Sequence, residues 1–163
     1  MRRFAPALIA STEYTLEEGS SAAFRRIAGF IFGGNTEKNQ EQIAVGTESK
    51  SASIAMTVPV ATSDNERVMW FYMPKKFTLD TLPEPKDSRV QIKMMEERLM
   101  ACLTFSGIGE DQKSEMFNEL VKHVKETGRF EVIGEPVLFQ YNPPWTLPWL
   151  RTNEILVNVN ELQ

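Results

Sequence analysis

The chain runs twice through the same order of hydrophobic periods, and that repetition restricts its fold more than any single motif does. In the first half, a strand over about Arg2 to Tyr14 is followed by a helical period and then by strands at Ile54 to Val60 and Val68 to Met73. The second half repeats the order with a strand over about Val90 to Phe105, a helical period, and strands at Pro136 to Tyr141 and Asn153 to Val159. Leu8-Ile9-Ala10 lines up with Leu99-Met100-Ala101, and the turn-rich connector around Pro83 and Pro85 marks the midpoint. The pattern predicts an α+β chain: one domain over residues 1–163, with internal halves of about 1–80 and 88–163. Two pseudo-symmetric strand-helix-strand-strand repeats would then build a distorted antiparallel β-barrel or sheet with two helices.

The helices follow from a 3.6-residue spacing. Phe24, Ile27, Ala28 and Ile31 recur at i, i+3, i+4, i+7 within Ser20 to Phe32, and Phe117, Leu120, Val121 and Val124 do so within Asp111 to Thr127. Ser20 or Ser21 is the expected cap of the first helix and Gly33-Gly34 its end; Asp111 and Gly128 play those parts for the second. Ile54, Met56, Val58 and Val60 alternate with Ala55, Thr57 and Pro59, so that run reads as a strand with two distinct faces. Val68 to Met73 is apolar on both faces, which places it centrally or against a pocket. Thr36 to Ser53 reads as a long, polar, mobile loop.

Charge and composition narrow the function. A net charge of -4 and a pI near 5.2 argue against gripping a nucleic-acid backbone. The lone Cys102 excludes an internal disulfide and a thiolate metal cluster. No apolar run approaches the ~18 residues of a membrane span. Arg2-Arg3 followed by Phe4 to Ala10 imitates a signal peptide faintly, but Pro6 and the lack of a small-x-small cleavage site favour a strand. The expected compartment is the cytoplasm.

Most catalytic signatures are missing. Gly33-Gly34 lies at a helix end, whereas a phosphate cradle needs glycines at a helix start. The single histidine, His123, sits off its helix's apolar face and reads as a surface residue. Methionines 56, 69, 73, 94, 95 and 100 lie on apolar strands, where they read as core filling. Arg25 and Arg26 lie off the Phe24/Ile27/Ile31 face beside Gly29 and an expected exposed Phe30. They suit either a solvated surface or a seat for a flat ligand bearing carboxylates. On either reading, removing them is expected to leave the fold intact. Asn142 to Thr152 carries three prolines, Trp145 and Trp149, and reads as a rigid apolar wall for a ligand or as a plug. Glu154, inside a strand near Arg151, is expected to be buried and paired with an arginine or to face a pocket.

Taken together these segments resemble the SOUL haem-binding protein family. Arg2 to Pro6 is similar to the family's first strand, Ala23 to Asn35 to its first helix, and Ile54 to Val60 to its most recognisable strand. Tyr141 to Trp145 and Arg151 to Glu154 resemble its C-terminal loop and last strand. The resemblance implies a distorted antiparallel barrel with two helices, similar to effector-binding modules of bacterial transcription regulators. It implies haem or another tetrapyrrole as ligand, held by a non-catalytic carrier, buffer or sensor. A histidine proposed as axial ligand in one branch falls at Arg3 here, so that ligation does not carry over. In the branch without a clear axial ligand, the ring is placed against the first helix and the C-terminal loop. The corresponding positions are Ala22, Arg25, Gly29, Phe30, Trp145 and Thr146, with Arg25 and Arg26 standing in for that branch's basic residues. The resemblance also has the chain beginning partway into the family's first strand. Two rival readings stay open: an effector-binding or interaction module for a different apolar small molecule, and a small-molecule enzyme using Glu154.

Overall fold

The computed structural model describes residues 1–38 and 50–162. Along the chain the elements are β1 (Arg2–Phe4), β2 (Ala7–Glu13), α1 (Gly19–Ile31), β3 (Asn35–Thr36), β4 (Val60–Ser63), β5 (Val68–Tyr72), β6 (Glu84–Pro85) and β7 (Gln91–Met95). They continue with β8 (Arg98–Phe105), α2 (Gly109–Glu126), β9 (Phe130–Gln140), a 3-10 turn (Pro148–Leu150) and β10 (Asn153–Glu161). The α+β class and the two helices agree with the sequence reading. Among the described residues, no helix is long and apolar enough to cross a membrane.

The chain divides into two compact units. One comprises Met1–Pro6, Val58–Glu66 and Glu96–Gln163, and orders its antiparallel strands β1-β8-β10-β9-β4. Helix α2 covers this sheet with Leu120 and Val124, which pack with Ala101, Leu138, Ile155, Val157 and Val159. The other unit comprises Ala7–Thr57 and Arg67–Met95, with β2 between β5 and β7 and a short β3–β6 ladder. Here α1 buries Ala23, Ile27, Phe30 and Ile31, while Phe24 tilts against Phe71 with ring centroids 5.5 Å apart. Met69, Trp70 and Phe71 are consecutive and all buried, as a strand apolar on both faces requires.

Several boundaries differ from the sequence reading, each for a local reason. The first strand breaks at Ala5-Pro6, where proline removes a ladder donor, and the run from Val90 breaks at Glu96-Glu97. Of Ile54 to Val60, only Val60 enters a strand. Ile54 is buried and its N–H donates to Ile31 O at 2.8 Å, but Met56 and Val58 are about half exposed, at 49% and 58%. Alternation there describes a segment that finds no strand partner among the described residues. The strand at Pro136 begins instead at Phe130, ahead of Gly134 and Pro136, which mask its period. Ser20 and Ser21 lie inside α1 and make no cap bond; Glu18 occupies the cap position. Ile108, not Asp111, precedes α2, leaving Glu110 and Asp111 in the first turn where the helix dipole favours acids. Gly128, at φ +61°, ends α2 as expected. Of the expected loop 36–53, residues 39–49 lie outside the described residues.

Candidate functional site

A cavity of about 460 Å³ opens beside α1, within the unit that contains β2, β5 and β7. Five of the seven residues anticipated from the sequence line it: Ala22, Arg25, Arg26, Gly29 and Phe30. The volume falls within the ~300–1,000 Å³ of small-molecule sites. Its floor is small and open. Gly29 is exposed, and a Cβ built there would meet nothing within 4 Å.

The turn after α1 closes one end of the cavity. Gly34 N–H donates to Gly29 O at 2.8 Å, and a Cβ on Gly34 would lie 2.6 Å from that same oxygen, so only glycine fits. Asn35 is fully buried; its side chain donates to Phe30 O at 2.7 Å and to Ala52 O at 2.8 Å, and accepts from Ala52 N at 2.9 Å. These bonds satisfy a carbonyl that the end of a helix leaves open. Asn35 then pairs with Pro85 in the β3–β6 ladder, and Lys86 N–H donates to Gly34 O at 2.9 Å. That register delivers Lys86, Asp87 and Arg89 to the cavity wall. Sequence reasoning missed these three, because nothing periodic links a connector at 86–89 to a helix at 19–31.

The charges of the site sort into paired and unpaired groups. Arg89 grips Asp87 through two bonds, Nε to Oδ1 at 3.0 Å and Nη2 to Oδ2 at 2.7 Å. The Arg89 guanidinium holds the Asp87 carboxyl down at about 2, and Arg89 is raised in turn by Asp87. Arg26 is also engaged: it pairs with Glu18 and donates to Glu13 O at 2.7 Å and to Thr12 Oγ1 at 3.3 Å. Its side chain is only 8% exposed, and it holds the Glu18 carboxyl below the usual range. Arg26 is therefore a strut between α1, the segment before it and the end of β2. The sequence reading, which kept both arginines off the Phe24/Ile27/Ile31 face, did not anticipate this bracing. Among the described residues, Arg25 and Lys86 have no carboxylate partner, and Arg25 is exposed. Phe30, expected as an exposed aromatic, is 2% exposed and belongs to the core under the cavity.

Trp145 and Thr146 belong to the other compact unit. Trp145 is 83% exposed and Trp149 68%, so neither tryptophan is a plug. Arg151 stiffens the loop by donating to Thr146 O at 2.8 Å and to Pro144 O, and Asn142 Oδ1 accepts from Thr152 N.

Glu154 is buried and paired with an arginine, but the partner is Arg2 rather than Arg151. Arg2 donates to Oε2 at 2.9 Å and to Oε1 at 2.7 Å, Tyr141 OH to Oε2 at 2.5 Å, and Thr104 Oγ1 to Oε1 at 3.3 Å. Both carboxylate oxygens are thus committed. Burial pushes the Glu154 carboxyl up, yet the bonds from Arg2 and Tyr141 outweigh it and hold it below the usual range. Burial and the bond to Glu154 push the Tyr141 phenol up to about 12. His123 is exposed, as expected of a surface residue. Among the described residues, no three histidine, cysteine or carboxylate side chains gather as a metal site would require. Met69, Met73 and Met100 fill core, but Met56 and Met94 are about half exposed.

Comparison with known proteins concerns the chain as a whole. The family model for SOUL heme-binding protein matches residues 1–158. No curated protein matches the chain. Among solved structures, a hydrolase from Listeria innocua superposes with a TM-score of 0.59 at 11% identity, covering 98% of this chain and 91% of that one. The C-terminal domain of EcmrR gives 0.60 at 8% identity, covering 99% and 96%. EcmrR in its DNA complex gives 0.67 at 10% identity and covers 99% of this chain, which spans 56% of that chain's length. At such identities the likeness is one of fold.

Proposed function

The chain belongs to the SOUL heme-binding protein family, and from that premise we propose that it binds haem or a related tetrapyrrole, non-covalently, in the cavity beside α1. It would act as a non-catalytic carrier, buffer or sensor in the cytoplasm. One observation carries the assignment: an exposed Gly29 floor with Arg25 and Lys86 at its edge. A planar ring can lie flat only where no side chain rises, and Gly29 supplies such a surface. Haem's two propionates need cations without a carboxylate partner, and among the described residues Arg25 and Lys86 meet that need and can form charge-assisted hydrogen bonds. The residues present therefore fit a tetrapyrrole. The part given to Trp145 and Thr146 rests on the resemblance alone.

None of the described residues lining the cavity carries an imidazole, thiol, thioether or phenol. Recognition accordingly rests on the ring and its carboxylates rather than on iron ligation. The proposal includes no nucleic-acid partner, because a net charge of -4 opposes a phosphate backbone. Haemin titration tests it. A saturable Soret shift complete at one equivalent, unchanged by His123→Ala, is expected. Iron-free protoporphyrin should bind with an affinity within about tenfold. Open-ended, non-stoichiometric haemin uptake, or binding that disappears with His123, would contradict the assignment.

A further inference from the structure

We propose that a second cavity, under the first turns of α2, is a ligand site for a neutral, ring-sized amphipathic molecule bearing an amide or hydroxyl group. It measures about 270 Å³ and lies wholly within the unit that contains β4, β8, β9 and β10. It shares no lining residue with the α1 cavity and does not depend on the tetrapyrrole assignment.

The sheet under this cavity carries a cross-strand row. Leu103 pairs with Ile155, Ile155 with Leu138, and Leu138 with Thr62. Three members are apolar, as the floor beneath a helix should be; the fourth is a threonine. Thr62 is 3% exposed, lines the cavity, and its hydroxyl has no hydrogen-bond partner among the described residues. A buried polar atom without a partner is a standing cost to the fold, and few natural sites keep one without a use. A ligand carrying an amide or hydroxyl would satisfy it.

The remaining walls define the rest of the ligand. Phe117 and Leu138 supply apolar surface for a ring, and the exposed Ser114 and Asn118 offer polar groups at the rim. Lys113 pairs with Asp64 and donates to Glu110 at 2.9 Å, so the lysine of the rim is already engaged by two carboxylates within the protein. A charged ligand would have to compete with those pairs, whereas a neutral one leaves them in place. The volume sits just under the ~300–1,000 Å³ of drug-sized sites, which sets the ligand at about one substituted ring.

Benzamide is the probe, with benzoate and benzylamine as charged counterparts, and backbone amide shifts as the readout. Saturable shifts at Thr62, Phe117 and Asn118 are expected with benzamide, and weaker ones with either charged analogue. Thr62→Val, which keeps the shape and removes the hydroxyl, should weaken benzamide roughly threefold to tenfold. Ser114→Phe, at an exposed helix position, should close the mouth and abolish the shifts while haemin binding is unchanged. Shifts that fail to saturate, that survive Ser114→Phe, that ignore Thr62→Val, or that are larger with a charged analogue would overturn the proposal. So would a benzamide-silent protein whose Thr62 hydroxyl is bonded to a buried water.

Discussion

Arg25 and Arg26 are neighbours in sequence with opposite roles. Helical geometry places both off the Ile27 face, and that much is legible from spacing alone. What spacing does not show is reach: Arg26 turns back to Thr12, Glu13 and Glu18, while Arg25 stays exposed at the cavity edge. The two substitutions should therefore separate. Arg25→Ala should leave denaturant unfolding unchanged and weaken haemin binding about threefold to tenfold, the range for an exposed charge-assisted bond. Added salt should then weaken wild-type binding more than it weakens the variant's. Arg26→Ala should lower unfolding stability by about 1–3 kcal/mol, because a side chain that is itself nearly buried loses its hydrogen bonds to Thr12 and Glu13. A silent Arg26→Ala beside a destabilising Arg25→Ala would reverse the assignment.

At the scale of the elements, β1 is tied down by its side chains as well as by its ladder. It has only three residues paired with β8, and Arg2 ties it to Glu154 on β10. Because the folded Glu154 carboxyl is held below its unfolded value, its contribution is present above about pH 4.3 and is lost as pH falls through the folded value. Tyr141 acts in the opposite sense. Its phenol is raised to about 12, so its contribution is present below about pH 10 and is lost as pH rises through about 12. Glu154→Gln should flatten the acid limb of the stability profile and cost about 1–3 kcal/mol near neutrality, with Arg2 half exposed and left without its carboxylate. An acid limb identical to wild type would show that other carboxylates set it. The sequence placed Glu154 in a strand, either paired with an arginine or facing a pocket, and its nearest arginine in sequence is Arg151. The β1–β8–β10 pairing sets Arg2 level with Asn158, and its long side chain then reaches along the sheet to Glu154. The same limit explains Ile54 to Val60, whose alternation is real but whose hydrogen-bonding partners are a tertiary matter.

For the molecule as a whole, the class, both helices and most strands were readable because they rest on periodicity, which the chain carries locally. The five helix positions that line the α1 cavity share one short segment with a family resemblance. Lys86, Asp87 and Arg89 were not readable in the sequence, since the β3–β6 ladder that brings them to α1 joins residues about 50 apart in sequence through backbone bonds that impose no residue preference. Phe30 was misplaced because the buried arc of α1 is wider than the four-residue stripe suggested. The central claim is that a flat tetrapyrrole lies on the open Gly29 surface, and this position can be filled without touching the core. A Cβ there meets nothing within 4 Å, and replacing a helical glycine removes a cost of about 0.5–1 kcal/mol. The decisive measurement is haemin affinity of Gly29→Leu against wild type, read at the Soret band alongside thermal unfolding. The account predicts a variant at least as stable as wild type whose haemin affinity falls about tenfold or more; a stable variant that binds haemin as wild type does would contradict it.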